Sequence, residues 1–501
     1  MSSTLLLHPD DDVAIALADL PAGAEVEGIR LSQSVARGHK IALRPRAAGE
    51  LVRRYGQVIG RATEEIAPGA HVHSHNLGMS AHGEGTAPGA AARALPPPDA
   101  PRTFEGYHRA DGTVGTRNYI GIVTTVNCSG SVARFIAEAV ERQPWFAELT
   151  NVDGVVPITH GSGCAMDMEG EGYQTLFRTL QGYIRHPNFG GVLLVGLGCE
   201  AMQVPALVGK GRLRADMNFR YMTIQNTGGT RATIEAGVKE VRQMAEVANR
   251  ATRAPAPLSH LMLGMQCGGS DGYSGITANP ALGAASDLLV RHGATTLLSE
   301  TPEIYGAEHL LTARAASPEV AEKLMARIHW WERYAALHGG QMDNNPSPGN
   351  KRGGLTTILE KSLGAVAKSG TAPLADVCLF AERPAVPGFV FMDSPGYDPV
   401  SVTGQIAAGS TLIAFTTGRG SVSGFMPTPG LKLATNSEMY ARMEGDMDVN
   451  CGDVLEGVSI EEKGVEIFEA LIAAASGRPT KSEALGFGGA EFVPWQIGAV
   501  M

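Results

Sequence analysis

Short, nearly unbroken apolar runs, each closed by glycine and cysteine, constrain this chain more than any other feature. They occupy residues 119–126, 155–158, 192–197 and 261–265. They lead into Asn127-Cys128-Ser129-Gly130, Gly163-Cys164, Gly198-Cys199-Glu200 and Cys267-Gly268-Gly269. A continuous apolar run of this length is a strand covered on both faces, which is how parallel sheets are built. Between the runs the period changes. Val132, Phe135, Ile136, Ala139 and Val140 fall on one helical face behind Ser129, a residue suited to capping. Residues 231–248, 282–292 and 318–337 also read as helices, and 221–225 and 295–299 as strands. The fold class expected is α/β with mostly parallel sheets.

At 501 residues the chain is too long for one core, and three domains are expected. Residues 1–82 carry short apolar runs at 13–17, 40–43 and 58–60, separated by Pro21-Ala22-Gly23 and Pro68-Gly69. This spacing predicts a small β module, a compact barrel or clip. Residues 83–103 are rich in Gly, Ala and Pro and include Pro96-Pro97-Pro98, an extended linker. A central α/β domain follows at 104–253. Ala254-Pro255-Ala256-Pro257 closes it, and residues 257–501 form a second α/β domain.

The formal net charge of -10 argues against nucleic acid and anionic membrane surfaces as partners. It leaves room for a small anionic substrate held by a local group of Lys and Arg. No run of about eighteen apolar residues is present, so no membrane span is expected. The first twelve residues lack the basic-then-apolar pattern of a signal peptide. Six cysteines without dense spacing predict reduced thiols and a cytoplasmic location.

The carboxyl ends of parallel strands share one sheet edge, where ligands bind. Cys128, Cys164, Cys199 and Cys267 are therefore candidate metal or iron–sulfur ligands, although any one of them alone reads better as a small buried hydrophobe. His71, His73 and His75 alternate, so on a strand their imidazoles would share a face suited to Fe, Mn or Zn. His160, ahead of Cys164, is a candidate ligand or general base. Polar glycine-rich segments suggest anion recognition: Gly268-Gly269-Ser270-Asp271-Gly272, Asn345-Pro346-Ser347-Pro348-Gly349-Asn350-Lys351 and Thr416-Thr417-Gly418-Arg419-Gly420. No phosphate loop is present, and Gly196-Leu197-Gly198 lacks the third glycine of a dinucleotide fingerprint.

The string Gly106-Tyr107-His108-Arg109-Ala110-Asp111-Gly112-Thr113-Val114-Gly115-Thr116-Arg117-Asn118 resembles the start of the central domain of altronate/galactarate dehydratases. Gly196-Leu197-Gly198-Cys199-Glu200, Cys267-Gly268-Gly269-Ser270-Asp271, Ser274-Gly275-Ile276-Thr277-Ala278-Asn279-Pro280, 345–351 and Ala434-Thr435-Asn436 are similar in the same way. Gly38-His39-Lys40 and His71-Val72-His73 resemble the family's SAF domain, a β-clip. The resemblance implies metal-dependent loss of water from an aldonate or aldarate, giving a 2-keto-3-deoxy acid. The cofactor implied is Fe2+, with Mn2+ or an iron–sulfur cluster as alternatives. His160, Lys361 and Glu200 are the catalytic candidates, with His160 or Lys361 as the base. Arg117, Ser270, Asp271, Asn350, Lys351, Thr417 and Arg419 are the substrate-binding candidates. Cys128, Cys164, Cys199, Cys267, His71 and His73 are the metal candidates. A small-molecule sugar acid is the expected partner and a homo-oligomer the expected assembly. The first-domain histidines resemble the altronate branch, and Thr103-Phe104-Glu105-Gly106-Tyr107 the galactarate branch. Two other readings stay open: a lyase that cleaves a C–S bond, as sulfolactate lyases do, and a sugar-acid binding protein without activity.

Overall fold

The computed structural model describes residues 3–80, 87–209, 213–214 and 217–498. The first domain is a strand-rich module. Val13–Ala16 pairs antiparallel with Thr4–Leu5 and Lys40–Ala42, and Lys40–Ala42 pairs with His71–Val72. A second sheet joins Leu51–Arg54, Gln57–Ala62 and Leu77–Gly78. Val13, Val52, Ile59 and Val72 belong to the same apolar cluster as Leu263, Leu282 and Phe389 of the last domain. The two domains thus share a core.

The central domain has a four-stranded parallel sheet: β1 (Tyr119–Thr124), β2 (Val155–Ile158), β3 (Phe189–Gly196) and β4 (Phe219–Thr223). Their order is β2-β1-β3-β4, all parallel. Helices α1 (Gly130–Glu141), α2 (Glu171–Ile184) and α3 (Thr230–Ala248) flank it. Val132, Ile136 and Val140 of α1 are buried, as expected, whereas Phe135 is half exposed. Ser129 does not cap α1: its hydroxyl donates backwards to the Val126 carbonyl oxygen at 2.8 Å.

The last domain holds seven parallel strands: β5 (Met262–Cys267), β6 (Thr295–Leu298), β7 (Leu374–Cys378), β8 (Gly388–Met392), β9 (Leu412–Thr417), β10 (Gly430–Ala434) and β11 (Val449–Asn450). The order is β7-β8-β6-β5-β9-β10-β11. The chain fills one side of β5 first and then crosses to the other. The crevice at the carboxyl ends of β5 and its neighbours is therefore a topological switch point, the usual ligand position in open parallel sheets. Helices α4 (Ala278–Arg291), α5 (Pro318–Leu337), α6 (Ile358–Val366), α7 (Asp398–Ala408) and α8 (Ile460–Ala475) surround the sheet.

The expected linker starts outside the described residues. From residue 87 onward it lies on the last domain, with Gly89 and Ala91 donating to the Thr312 and Ala313 carbonyls. Arg291 holds the carbonyls of Pro96 and Pro97. The expected boundary at Ala254–Pro257 is itself a strand, paired antiparallel with Thr103–His108. The entry and exit of the central domain are thus zipped together. Among the described residues no helix is long and apolar enough to cross a membrane.

Candidate functional site

The four strand-end cysteines do not form one group. Cys128, Cys164 and Cys199 follow β1, β2 and β3 on the central rim, and all three are exposed. Their loops touch: the Asn127 amide donates to the Ser162 carbonyl and the Met202 amide to the Gly163 carbonyl, both at 3.0 Å. Cys267 lies in the other sheet, as the last residue of β5 rather than beyond it, and is buried. A metal shared by all four thiols, the expectation from strand position, is therefore corrected to three thiols on one rim and one elsewhere.

Two catalytic candidates of the central domain are fully occupied. His160 Nε2 bonds the Thr124 carbonyl at 3.0 Å, and Nδ1 accepts from the Ser162 amide at 3.2 Å. Burial holds its pKa down to about 4. With both nitrogens engaged, His160 staples its loop to β1 and has no lone pair free for a substrate proton. Glu200 accepts from the Thr125 hydroxyl at 2.5 Å and from the amides of Leu197 and Gly198. It shapes the turn that carries Cys199. Arg117, expected to bind substrate, instead grips Glu483 through two bonds of 2.6 and 2.7 Å and also donates to the Ala474 carbonyl. Its place is the seam between the last two domains.

The crevice of the seven-stranded sheet is different. Cys267 Sγ, Glu300 and Glu303 bring three ligand-type atoms within 4.8 Å of one another. Lys368 Nζ lies 2.8 Å from Cys267 Sγ. Lys361, on α6, donates to Glu303 Oε1 and Asn345 Oδ1, both at 2.6 Å. Burial alone would neutralise Lys361, but the Glu303 carboxylate outweighs it and raises its pKa. Lys361 is therefore an ammonium ion, not the base it was expected to be. Burial likewise favours protonated Glu303, yet Lys361 and Lys368 prevail and hold it ionised. Glu300 goes the other way, pushed well up by burial and by the Glu303 and Asp398 charges. Burial, helped by Glu303, lifts Asp398 at the start of α7 to about 7.

Above this crevice the first domain delivers its imidazoles. His39 Nδ1 and His71 Nε2 are 2.9 Å apart, and His73 stacks on both, with ring centroids 5.2 and 5.3 Å away. Only His71 is in a strand, yet the His75 ring also packs against it, tilted by 46° with centroids 5.6 Å apart. Burial, with lesser repulsion from His39, His73, His75 and Lys40, lowers His71 to about 3. Burial lowers His39 and His73 in the same direction, so these two rings and His71 are neutral at pH 7. His73 and His39 bond the carbonyls of Lys351 and Arg352 at 2.8 and 3.2 Å, which ties the cluster to the 345–354 loop. Asn345 of that loop reaches Lys361. One continuous wall thus joins the imidazoles to the buried acids and lysines.

Docking rests on a buried ionic knot. Glu360 accepts from Lys40 at 2.9 Å, Arg54 at 2.5 Å and the Thr356 hydroxyl at 2.7 Å, and none of the three charged side chains touches solvent. The backbones meet closely here, and a Cβ on Gly354 would run into the Gly38 carbonyl.

Of the substrate-binding candidates, several shape loops. Asp271 is buried and accepts from Ser274, Thr435 and Asn436. Asn350 donates to the Ser270 carbonyl at 2.9 Å and accepts from the Ser347 amide. Thr417 accepts from the Gly420 amide at 3.1 Å. Lys351 and Arg419, by contrast, have no side-chain partner among the described residues, and Arg419 is exposed beside Gly349. They are unpartnered cations of this wall among the described residues, as is the exposed Arg352. His39, Glu300, Glu303, Lys368 and Asp398 were missed by sequence reasoning. Glu300 and Glu303 follow the run at 295–299, so the strand-end rule applied to acids would have found them. Lys368 closes a helix and gives no such signal.

Family models match all three domains. "Altronate/galactarate dehydratase SAF domain" covers residues 2–80, "D-galactarate dehydratase/Altronate hydrolase, second domain" 106–249 and "D-galactarate/Altronate dehydratase, C-terminal" 258–500. An altronate dehydratase of Escherichia coli (strain K12) is 38% identical over 95% of this chain and 96% of its own length. A galactarate dehydratase (L-threo-forming) of the same organism is 38% identical over 94% and 92%. The (2R)-sulfolactate sulfo-lyase subunit beta of Chromohalobacter salexigens is 33% identical over 77% of this chain and 95% of its own.

Proposed function

Because this chain belongs to the altronate/galactarate dehydratase family and is a sugar-acid hydro-lyase, we propose that it dehydrates an aldonate or aldarate, such as altronate or galactarate, in the crevice beneath the SAF domain. The observation that carries this location is the single wall from His39, His71 and His73, through the 345–354 loop, to Lys361 and Glu303.

Arg419 and Lys351 hold a substrate carboxylate, having no side-chain partner among the described residues. Asp398, poised near neutral pH by burial, takes the proton from C2. The electron pair of that C–H bond becomes the C2–C3 double bond as the C3–O bond breaks. Lys361, kept as an ammonium ion by Glu303, gives its proton to the leaving hydroxyl, which departs as water. The enol left behind tautomerises to the 2-keto-3-deoxy acid. His39, His71 and His73 would hold Fe2+ or Mn2+: their rings are neutral, and an ion between His39 Nδ1 and His71 Nε2, 2.9 Å apart, would replace the hydrogen bond they share. An ion bound there supplies Lewis acidity toward the substrate carboxylate and hydroxyl. The three exposed thiols that would suit an iron–sulfur cluster belong to the central rim, so the imidazoles are the favoured seat.

The test is anaerobic purification, loading with Fe2+ and a panel of hexonates and hexarates scored for 2-keto-3-deoxy product. At least one member should turn over. Similarity to the sulfo-lyase subunit supports a second reading, C–S cleavage of a sulfonated hydroxy acid. Sulfite release from sulfolactate, with no keto acid from any sugar acid, would replace the first reading by the second.

A further inference from the structure

The scheme above leaves Cys267 and Glu300 unused, although they lie at the floor of the same crevice. We propose that Cys267, Glu300 and Glu303 form a second cation site, separate from the imidazole cluster, for one divalent transition-metal ion. Their Sγ and carboxylate oxygens lie within 4.8 Å of one another, close enough to share one ion.

Glu300 supplies an independent argument. It is 1% exposed, and neither carboxylate oxygen has a hydrogen-bond partner. Buried carboxylates are otherwise paired or hydrogen-bonded, because an unpaired one is costly. Its backbone is left-handed, with φ 74°, a strained conformation for a residue with a side chain. A carboxylate oxygen of Glu300 lies within 4.8 Å of the ligand atoms of Cys267 and Glu303. Glu303 presents its oxygens in a divided way. Oε1 is taken by Lys361, whereas Oε2 faces Cys267 Sγ at 3.5 Å. Oε2 remains available for an ion while Lys361 keeps its proton-donating role.

The charges agree with this. Fully ionised, Cys267, Glu300, Glu303 and Asp398 outnumber Lys361 and Lys368 by two negative charges. One divalent cation restores neutrality. Burial lifts the Cys267 thiol to about 12, and Lys368, 2.8 Å from its Sγ, works against that rise, toward the thiolate form that a metal requires. One thiolate with two carboxylates selects a borderline ion such as Fe2+, Mn2+, Co2+ or Zn2+ over Ca2+ or Mg2+.

The site is tested with Co2+ as the probe, in full-length protein whose exposed Cys128, Cys164 and Cys199 are serine. A near-ultraviolet thiolate-to-cobalt charge-transfer band should grow and saturate at one ion. Cys267→Ser should abolish it, Glu300→Gln should weaken Co2+ binding at least tenfold, and His71→Ala should leave it intact. Absence of the band, or its survival in Cys267→Ser, overturns the proposal. Should Cys267→Ser lose its native circular dichroism, Glu300→Gln, which conserves volume, decides alone: unchanged Co2+ affinity overturns it. None of these readouts depends on turnover, so failure here leaves the dehydratase reading untouched, and failure of that reading leaves the cation site standing.

Discussion

Replacing Glu360 by glutamine should undock the first domain from the crevice it covers. The carboxylate is fully buried and neutralises two cations, Lys40 and Arg54, that are equally buried. Those two ions hold its pKa at about 2 against an ordinary 4.5, overcoming burial, which alone would raise it. A depression of that size corresponds to about 3 kcal/mol of stabilisation. Removing one partner of a buried ion pair costs roughly 3–5 kcal/mol, because the remaining charges stay buried. The two routes agree. For a cooperative unit of about 150–250 residues, 3 kcal/mol is a fall in Tm of roughly 6–12 °C. The group's folded pKa lies below its unfolded one, so its contribution is complete above about pH 4.5. It is lost as pH falls toward 2. Wild type should therefore lose Tm between pH 5 and pH 3 more steeply than Glu360→Gln. Scanning calorimetry at pH 7, 5 and 3 reads both effects. An unchanged Tm at pH 7, or equal pH slopes, would refute this account of the domain seam.

Two further outcomes separate ligand-binding residues from loop-shaping ones. Arg419→Ala should raise KM about 10- to 100-fold, the worth of a charge-assisted pair to a carboxylate, without moving Tm, because Arg419 is exposed and unpartnered. A shifted Tm with unchanged KM would return it to a structural role. His160→Asn should lower Tm by the loss of its two loop bonds and leave kcat within a few-fold. A drop of kcat beyond about 100-fold, the lower end for removal of a general base, would restore His160 to the chemistry.

The layers of the fold were legible because their signals are local. Apolar runs mark strands buried on both faces, and the observed β1, β2, β3 and β5 overlie them within a few residues. The crevice could be read only to the extent that strand ends are. Cys267 was found that way, and so were the loops that carry Asp271 and Arg419. What those side chains do was not legible, because it depends on partners far away in sequence. Asp271 meets Thr435 and Asn436, Arg117 meets Glu483, and Lys40 meets Glu360. Local pattern also cannot show that a polar residue is already satisfied. His160 looks like a catalytic histidine until both of its nitrogens are found in use. Lys361 looks like a base until Glu303 is found beside it.

The same partnerships explain why the crevice needs three domains. A carboxylate-binding wall of glycine-rich loops has little rigidity of its own, since its turns expose backbone groups that must be paired elsewhere. Asp271 supplies that pairing from beneath, and the His39 and His73 contacts to the 351–352 carbonyls supply it from above. The imidazoles in turn keep their positions only while Lys40 is anchored on Glu360, the neighbour of Lys361 on α6. Seating the first domain therefore fixes, on one helix turn, both the residue that locks the lid and the ammonium ion that meets the leaving group. Cutting the chain between the first two domains should for this reason abolish turnover even where both pieces fold. Adding the first domain back as a separate chain should restore turnover to the extent that the Glu360 knot reforms.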